Sequence, residues 1–149
     1  MPSSSRRSVL RTWIARCAAL AALLAPTVHA EVILVTSADS NVDTLSREEA
    51  EQLYLGRRSS LADGRPLLLL DLPPGPVRDQ FYRLLTGKNP SQIRAYWSRM
   101  VFTGRALPPR ESVSVEDARR LLLENPGTVG YLPDTFASDP SLHILLHLE

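Results

Sequence analysis

The sequence predicts an α/β domain with a mainly parallel sheet and helices on both faces. Three observations carry this prediction. Short apolar, β-branched runs alternate with stretches of helical periodicity along residues 31–149, the pattern of a helix-covered sheet. The run Leu67-Leu68-Leu69-Leu70 is too short for a helix and apolar at every position, which suits a central strand covered on both sides. The same stretch holds no cysteine, and a length of roughly 120 residues closes one hydrophobic core without disulfide staples.

Each element has its own signal. Val32 to Thr36 is apolar and β-branched, the first strand. Ser46-Arg47-Glu48-Glu49 reads as a capping box. The helix it opens carries Ala50, Leu53 and Tyr54 on one face and stops at Gly56. Asp63-Gly64 marks a turn, and Pro66 leads into the leucine strand. Leu72-Pro73-Pro74-Gly75-Pro76 is a rigid loop before a helix from Val77 to about Thr86, with Phe81, Leu84 and Leu85 inward and Gly87 closing it. Asn89-Pro90 pairs an N-cap with a first-turn proline, and Ile93, Tyr96, Trp97 and Met100 follow at helical spacing. Tyr82, Tyr96, Trp97 and Phe102 are read as core aromatics. Phe102-Thr103-Gly104 and Leu107-Pro108-Pro109 make a loop. Ser114 opens a further helix with Ala118, Leu121 and Leu122 inward, closed before Asn125-Pro126-Gly127. Thr128 to Leu132 is a strand, Asp134 to Ser138 a helical turn, and Leu142 to Leu148 the last strand.

Residues 1–30 read as a signal peptide, which leaves 31–149 as the one domain. Arg6, Arg7, Arg11 and Arg16 form a positive region free of acidic residues. Cys17 to Ala25 is apolar but far short of the roughly 20 residues that span a bilayer. Val28-His29-Ala30 offers tolerated residues at the −3 and −1 positions, placing cleavage before Glu31. Ser5-Arg6-Arg7-Ser8-Val9-Leu10-Arg11 also looks like a twin-arginine export motif, so either the Sec or the twin-arginine route leads to a periplasmic or secreted location. Cleavage would take four arginines, so 13 of the 17 basic residues stand against 16 acidic ones, a net charge near −3. That balance carries no basic footprint for nucleic acid, and no membrane span follows the signal.

The order of four segments resembles the phosphate-type solute-binding proteins of bacterial ABC transporters. Leu45-Ser46-Arg47 through Tyr54-Leu55-Gly56 looks like the first helix of that family. Pro66 to Leu70, followed by Gly75 to Phe81, looks like its strand, anion loop and helix. Tyr96-Trp97, Phe102-Thr103-Gly104 and Pro108-Pro109 are similar to short single-domain relatives, and Asn125 to Tyr131 resembles the turn and strand that close the second lobe. The resemblance implies a single lobe of a type 2 periplasmic-binding-protein fold. It also implies phosphate or another small oxyanion as ligand, in a transport or sensing system. Two departures stand out. Full-length members are much longer and trap the ligand between two lobes. Their Ser-Gly-Thr at the helix start is matched here by Gly75-Pro76-Val77, without either hydroxyl and with an imide nitrogen at Pro76.

The candidate ligand site is therefore Gly75, Val77 and Arg78. A helix N-terminus presents unpaired amides and the positive end of a dipole, and Arg78 adds a guanidinium fork. The competing reading makes Arg78 a solvated surface residue paired with a carboxylate, and even the ligand reading leaves only weak, millimolar binding. His143 and His147 share a face at i, i+4 but have no third ligand in sight, so no metal site is assigned. Asp63, Asp71 and Asp134 lie near strand or turn ends without the spacing of a catalytic pair. No P-loop, GxGxxG or Ser-His-Asp order occurs, so no enzyme activity and no cofactor are assigned. Two functions stay open: an exported solute-binding-like domain that takes an oxyanion weakly, or an envelope interaction module that has lost its ligand. In the second, an apolar face built for an absent lobe docks another envelope protein or a second copy.

Overall fold

The computed structural model describes residues 31–149; the signal-peptide and cleavage assignments fall on 1–30, outside the described residues. The elements are β1 (Val32–Ser37), α1 (Arg47–Tyr54), β2 (Leu68–Asp71), α2 (Pro76–Thr86), α3 (Pro90–Phe102), β3 (Arg110–Glu111), α4 (Val115–Glu124), β4 (Thr128–Pro133), a 3-10 turn at Asp134–Phe136 and β5 (Leu142–Leu148). Helix starts fall where capping chemistry puts them. The Ser46 hydroxyl accepts from the Glu49 amide while the Glu49 carboxylate accepts from the Ser46 amide. Asn89 and Gln92 make the same reciprocal pair ahead of Pro90. The Ser114 hydroxyl accepts from the Asp117 amide. Gly87 closes α2 at φ +71°, a left-handed conformation that favours glycine.

One five-stranded sheet has the order β3-β2-β4-β1-β5. β2 runs parallel to β3 and β4, whereas β1 runs antiparallel to both β4 and β5. Four strands thus share a direction and β1 opposes them, which refines the mainly parallel expectation. Strand direction leaves no trace in a strand's own hydrophobic pattern, since both directions alternate with a period of two.

The leucine strand is less central than the sequence predicts. All six residues of β1 and the first five of β4 are buried, but Leu68 in β2 is 70% exposed. The cause is the shortness of β3, which pairs only with Leu70 and Asp71 and leaves the start of β2 with an open flank.

Helices cover both faces of the sheet. On one, Phe81 of α2 stacks on Tyr131 of β4, ring centroids 3.6 Å apart, with the Tyr54 ring of α1 edge-on to both. On the other, α4 lies so close to β4 that a Cβ on Gly130 would sit 3.3 Å from the Leu122 side chain. Of the aromatics expected in the core, Tyr82 and Trp97 are buried and Tyr96 is half-buried. Phe102 is 92% exposed. It ends α3 beyond the last buried residue of that helix, Trp97, where nothing remains to pack against.

Candidate functional site

The candidate residues lie where β2 hands over to α2. The chain leaves the buried end of β2 at Asp71, crosses the proline loop, and enters α2 at Pro76 behind Gly75. No side chain caps this helix, and Pro76 brings no N–H. Gly75 has φ 164°, an extended conformation open to any residue. The Val77 side chain packs partly into the core, so only its backbone belongs to the corner.

Arg78 is bound from within the domain. Its Nη2 lies 3.3 Å from Asp71 Oδ2, and its Nη1 donates to Glu111 Oε2 at 2.8 Å and to the Leu72 carbonyl at 3.1 Å. The Arg78 side chain is 20% exposed and that of Glu111 is 53% exposed. Two carboxylates thus meet one guanidinium, and the cluster carries no surplus positive charge for an incoming anion.

Asp71 is the hub. It is 2% exposed, and such a carboxylate persists in a core only when partners satisfy it. The Tyr82 hydroxyl donates to Oδ2 at 2.9 Å, and the Tyr131 hydroxyl donates to Oδ1. Tyr131 in turn accepts from the Leu72 amide at 3.1 Å. The Asp71 carbonyl accepts from both the amide and the hydroxyl of Ser112, at 2.9 and 3.0 Å. Nearby, the Tyr54 hydroxyl donates to the Leu70 carbonyl at 2.9 Å.

These surroundings set the proton affinities. Burial pushes the Asp71 carboxyl above its ordinary value, against the pull of Tyr131, Arg78 and Tyr82. Burial also pushes the Tyr131 and Tyr82 hydroxyls up, and the Asp71 charge adds to it. For Arg78, burial opposes the charge, but Asp71 and Glu111 outweigh it and the guanidinium pKa rises. With Asp71 ionised, the arrangement is a charged clamp between strand end and helix start, with both tyrosines as proton donors.

Sequence reading singled out Gly75, Val77 and Arg78 and set Asp71 aside with Asp63 and Asp134, and the structure brings Asp71 and Arg78 together. It missed Glu111, Ser112 and the hydroxyl role of Tyr131. The one available signal was a carboxylate directly after an apolar strand, which demands buried partners from elsewhere. The His143 Nε2–H donates to the Asp43 carbonyl at 2.8 Å. Among the described residues no group of three or more potential ligands is positioned to hold a metal ion, and no helix is long and apolar enough to cross a membrane.

No protein-family model matches the chain, and no curated protein sequence matches it significantly. Solved structures do. A protein from Clostridium perfringens, assigned to the phosphate ABC transporter substrate-binding proteins and solved with bound phosphate, superposes with TM-score 0.59 at 16% identity, over 78% of this chain and 45% of that one. An ABC-type phosphate transport receptor from Vibrio cholerae gives TM-score 0.57 at 15% identity, over 78% and 46%. PstS from Borrelia burgdorferi gives 0.53 at 12% identity, over 78% and 47%. The chain spans less than half the length of each of these proteins. Its fold is that of part of a phosphate-type substrate-binding protein.

Proposed function

We propose that this domain is an exported interaction module, built on a solute-binding-protein fold, whose ancestral ligand corner has become a structural clamp. One observation carries the reading: Asp71 and Glu111 already hold the Arg78 guanidinium that would face an oxyanion. An anion arriving there must displace a carboxylate at 2.8 Å before it gains anything, and both hydroxyl donors of the resembling motif are absent. The fold then serves as a scaffold for contacts with other envelope proteins. Export rests on the basic, apolar and small-residue order of residues 1–30. Intact-mass measurement of the envelope fraction should give a chain beginning at Glu31; a soluble species retaining Met1 to Ala30 would remove that part of the reading.

A second reading, weak oxyanion binding at Gly75, Val77 and Arg78, draws on the phosphate bound in the Clostridium perfringens structure. It also draws on the exposure of Glu111, which is 53% exposed and free to swing into water. Isothermal titration with phosphate separates the two. The module reading expects no heat up to about 1 mM, the affinity regime of roughly 4 kcal/mol. The weak-site reading expects millimolar binding that Glu111→Ala strengthens and Arg78→Ala abolishes. Micromolar binding by the wild-type chain would refute the clamp.

A further inference from the structure

Away from the clamp, on the open flank of β2, lies a groove of about 500 Å³. Its floor is Leu67, Leu68 and Leu69, and Leu107 with Pro108 and Pro109 forms one wall. The rim carries Arg57, Arg58, Arg105 and Arg110, and no aspartate or glutamate lines it. Leu68 and Leu107 are 70% and 80% exposed.

The charge distribution is unusual for this domain. Residues 31–149 hold 13 basic and 16 acidic side chains, yet four arginines gather here without a lining carboxylate. Elsewhere, Arg65, Arg78, Arg119 and Arg120 sit in close pairs at 2.5–2.8 Å, while Arg47, Arg83, Arg94 and Arg99 make no ion pair among the described residues but are not gathered in one groove. In the groove, Arg57 reaches Glu51 only at 3.9 Å. Among the described residues Arg58, Arg105 and Arg110 are in no ion pair. Arg58 and Arg110 act on Glu49 and Asp117 only through the field, lowering their pKa. The floor has its own vacancy of pairing: β3 begins only at Arg110, opposite Leu70, so Leu68 and Leu69 have no strand on their outer side.

We infer that this groove docks an extended acidic segment of another protein, its apolar side chains on Leu68 and Leu107 and its carboxylates on the four arginines. The inference rests on reading the domain as an interaction module. An inorganic anion would leave the apolar floor unused. A strand-like segment uses the floor, the unpaired flank and the rim together, the mode in which a peptide extends a sheet edge. Guanidinium forks match carboxylates in pairs, so arginine rather than lysine at the rim fits this partner.

The test uses the full chain and a fluorescent synthetic decapeptide alternating glutamate and leucine, with a lysine-for-glutamate version as control. Anisotropy should show micromolar binding of the acidic peptide that weakens as salt rises. Arg58→Glu with Arg105→Glu should reduce affinity at least about a hundredfold, tenfold for each reversed charge. Leu107→Ser should reduce it about tenfold. Arg105 and Leu107 are exposed and Arg58 is half-buried, and unaltered melting temperatures would show that the fold is kept. No binding of the acidic peptide up to about 1 mM overturns the groove, as does equal binding of the lysine peptide. Displacement of the peptide by millimolar phosphate at constant ionic strength would mean an anion site instead. Capture by vesicles rich in phosphatidylglycerol, with no peptide binding, would mean a membrane-surface site. If the peptide fails while phosphate titration stays blank, the groove falls and the module reading stands. Micromolar phosphate binding lost in Arg78→Ala would remove the module reading itself.

Discussion

Asp71 draws its partners from three distant places in the chain: Arg78 and Tyr82 from α2, Glu111 through Arg78 from β3, and Tyr131 from β4. Removing its carboxylate leaves Arg78 half-paired and two buried hydroxyls without an acceptor. Asp71→Ala should therefore cost about 3–5 kcal/mol, the usual penalty for breaking a buried pair from one side, read as a shift in urea midpoint. Tyr131→Phe loses one donor to the carboxylate and the acceptor of the Leu72 amide, and should cost about 1–3 kcal/mol. A loss below about 0.5 kcal/mol in both would show that water, not protein, satisfies the site. The sequence exposed only fragments of this network. Asp71 after a leucine run and Arg78 in the first turn of a helix were both legible, and one of two readings paired Arg78 with a carboxylate, but on the solvated surface rather than against a buried partner. Its partners were not, because Tyr131 lies 60 residues away and Glu111 looks like any surface glutamate.

At the level of elements, local chemistry told most of the story. Ser46, Asn89 and Ser114 start their helices and Gly87 ends one, as their residue types require. What stayed hidden was set by neighbours. The direction of β1, the two-residue strand β3 and the outward turn of Phe102 all depend on segments far along the chain. Gly56 shows how an element junction can be both locally and globally constrained. It has φ +66°, and a Cβ there would lie 2.8 Å from the Ala106 Cβ and 3.0 Å from the Trp97 ring. Gly64 has φ +85° but nothing within 4 Å. Gly64→Ala should cost about 1–2 kcal/mol, the left-handed penalty alone, and Gly56→Ala distinctly more. Equal melting temperatures for the two variants would show that the α1–α3 junction yields without cost.

For the whole molecule, stability should respond to acid through two opposed sets of carboxyls. Glu49 is lowered by its bonds with Ser46, Asp117 first by the Val113 amide and then by Arg120, and Asp139 first by Arg119 and then by the Ser141 amide. Their folded pKa values lie below the unfolded ones, near 3.9 for Asp and 4.3 for Glu. They stabilise the fold above that range and stop doing so as pH falls through the folded values. Asp71 has the opposite sign. Its raised pKa favours the protonated form in the fold, a contribution present at low pH and lost as pH rises through the folded value. The urea midpoint should thus decline as pH falls below about 4, the unfolded carboxyl range, and Asp71→Asn should make that decline steeper. A shallower decline in Asp71→Asn would reverse the sign assigned to this carboxyl.

The placement of β1 between β4 and β5 also orders events in time. Val32 pairs with Pro133 on one side and Leu148 on the other, so the beginning of the domain is held by its end. A chain emerging N-terminus first, from a ribosome or a translocon, carries an unpartnered β1 until β4 arrives, and a half-partnered one until β5 follows. Closure joins segments about a hundred residues apart, a slow class of contact. Until that moment β1, with all six of its residues destined for the interior, is an exposed sticky tract in need of a chaperone. Once closed, Val32 and Leu148 lie side by side, and linking the two ends of this described domain while opening the Asp63-Gly64 turn would give a permuted chain in which β1 and β5 emerge together.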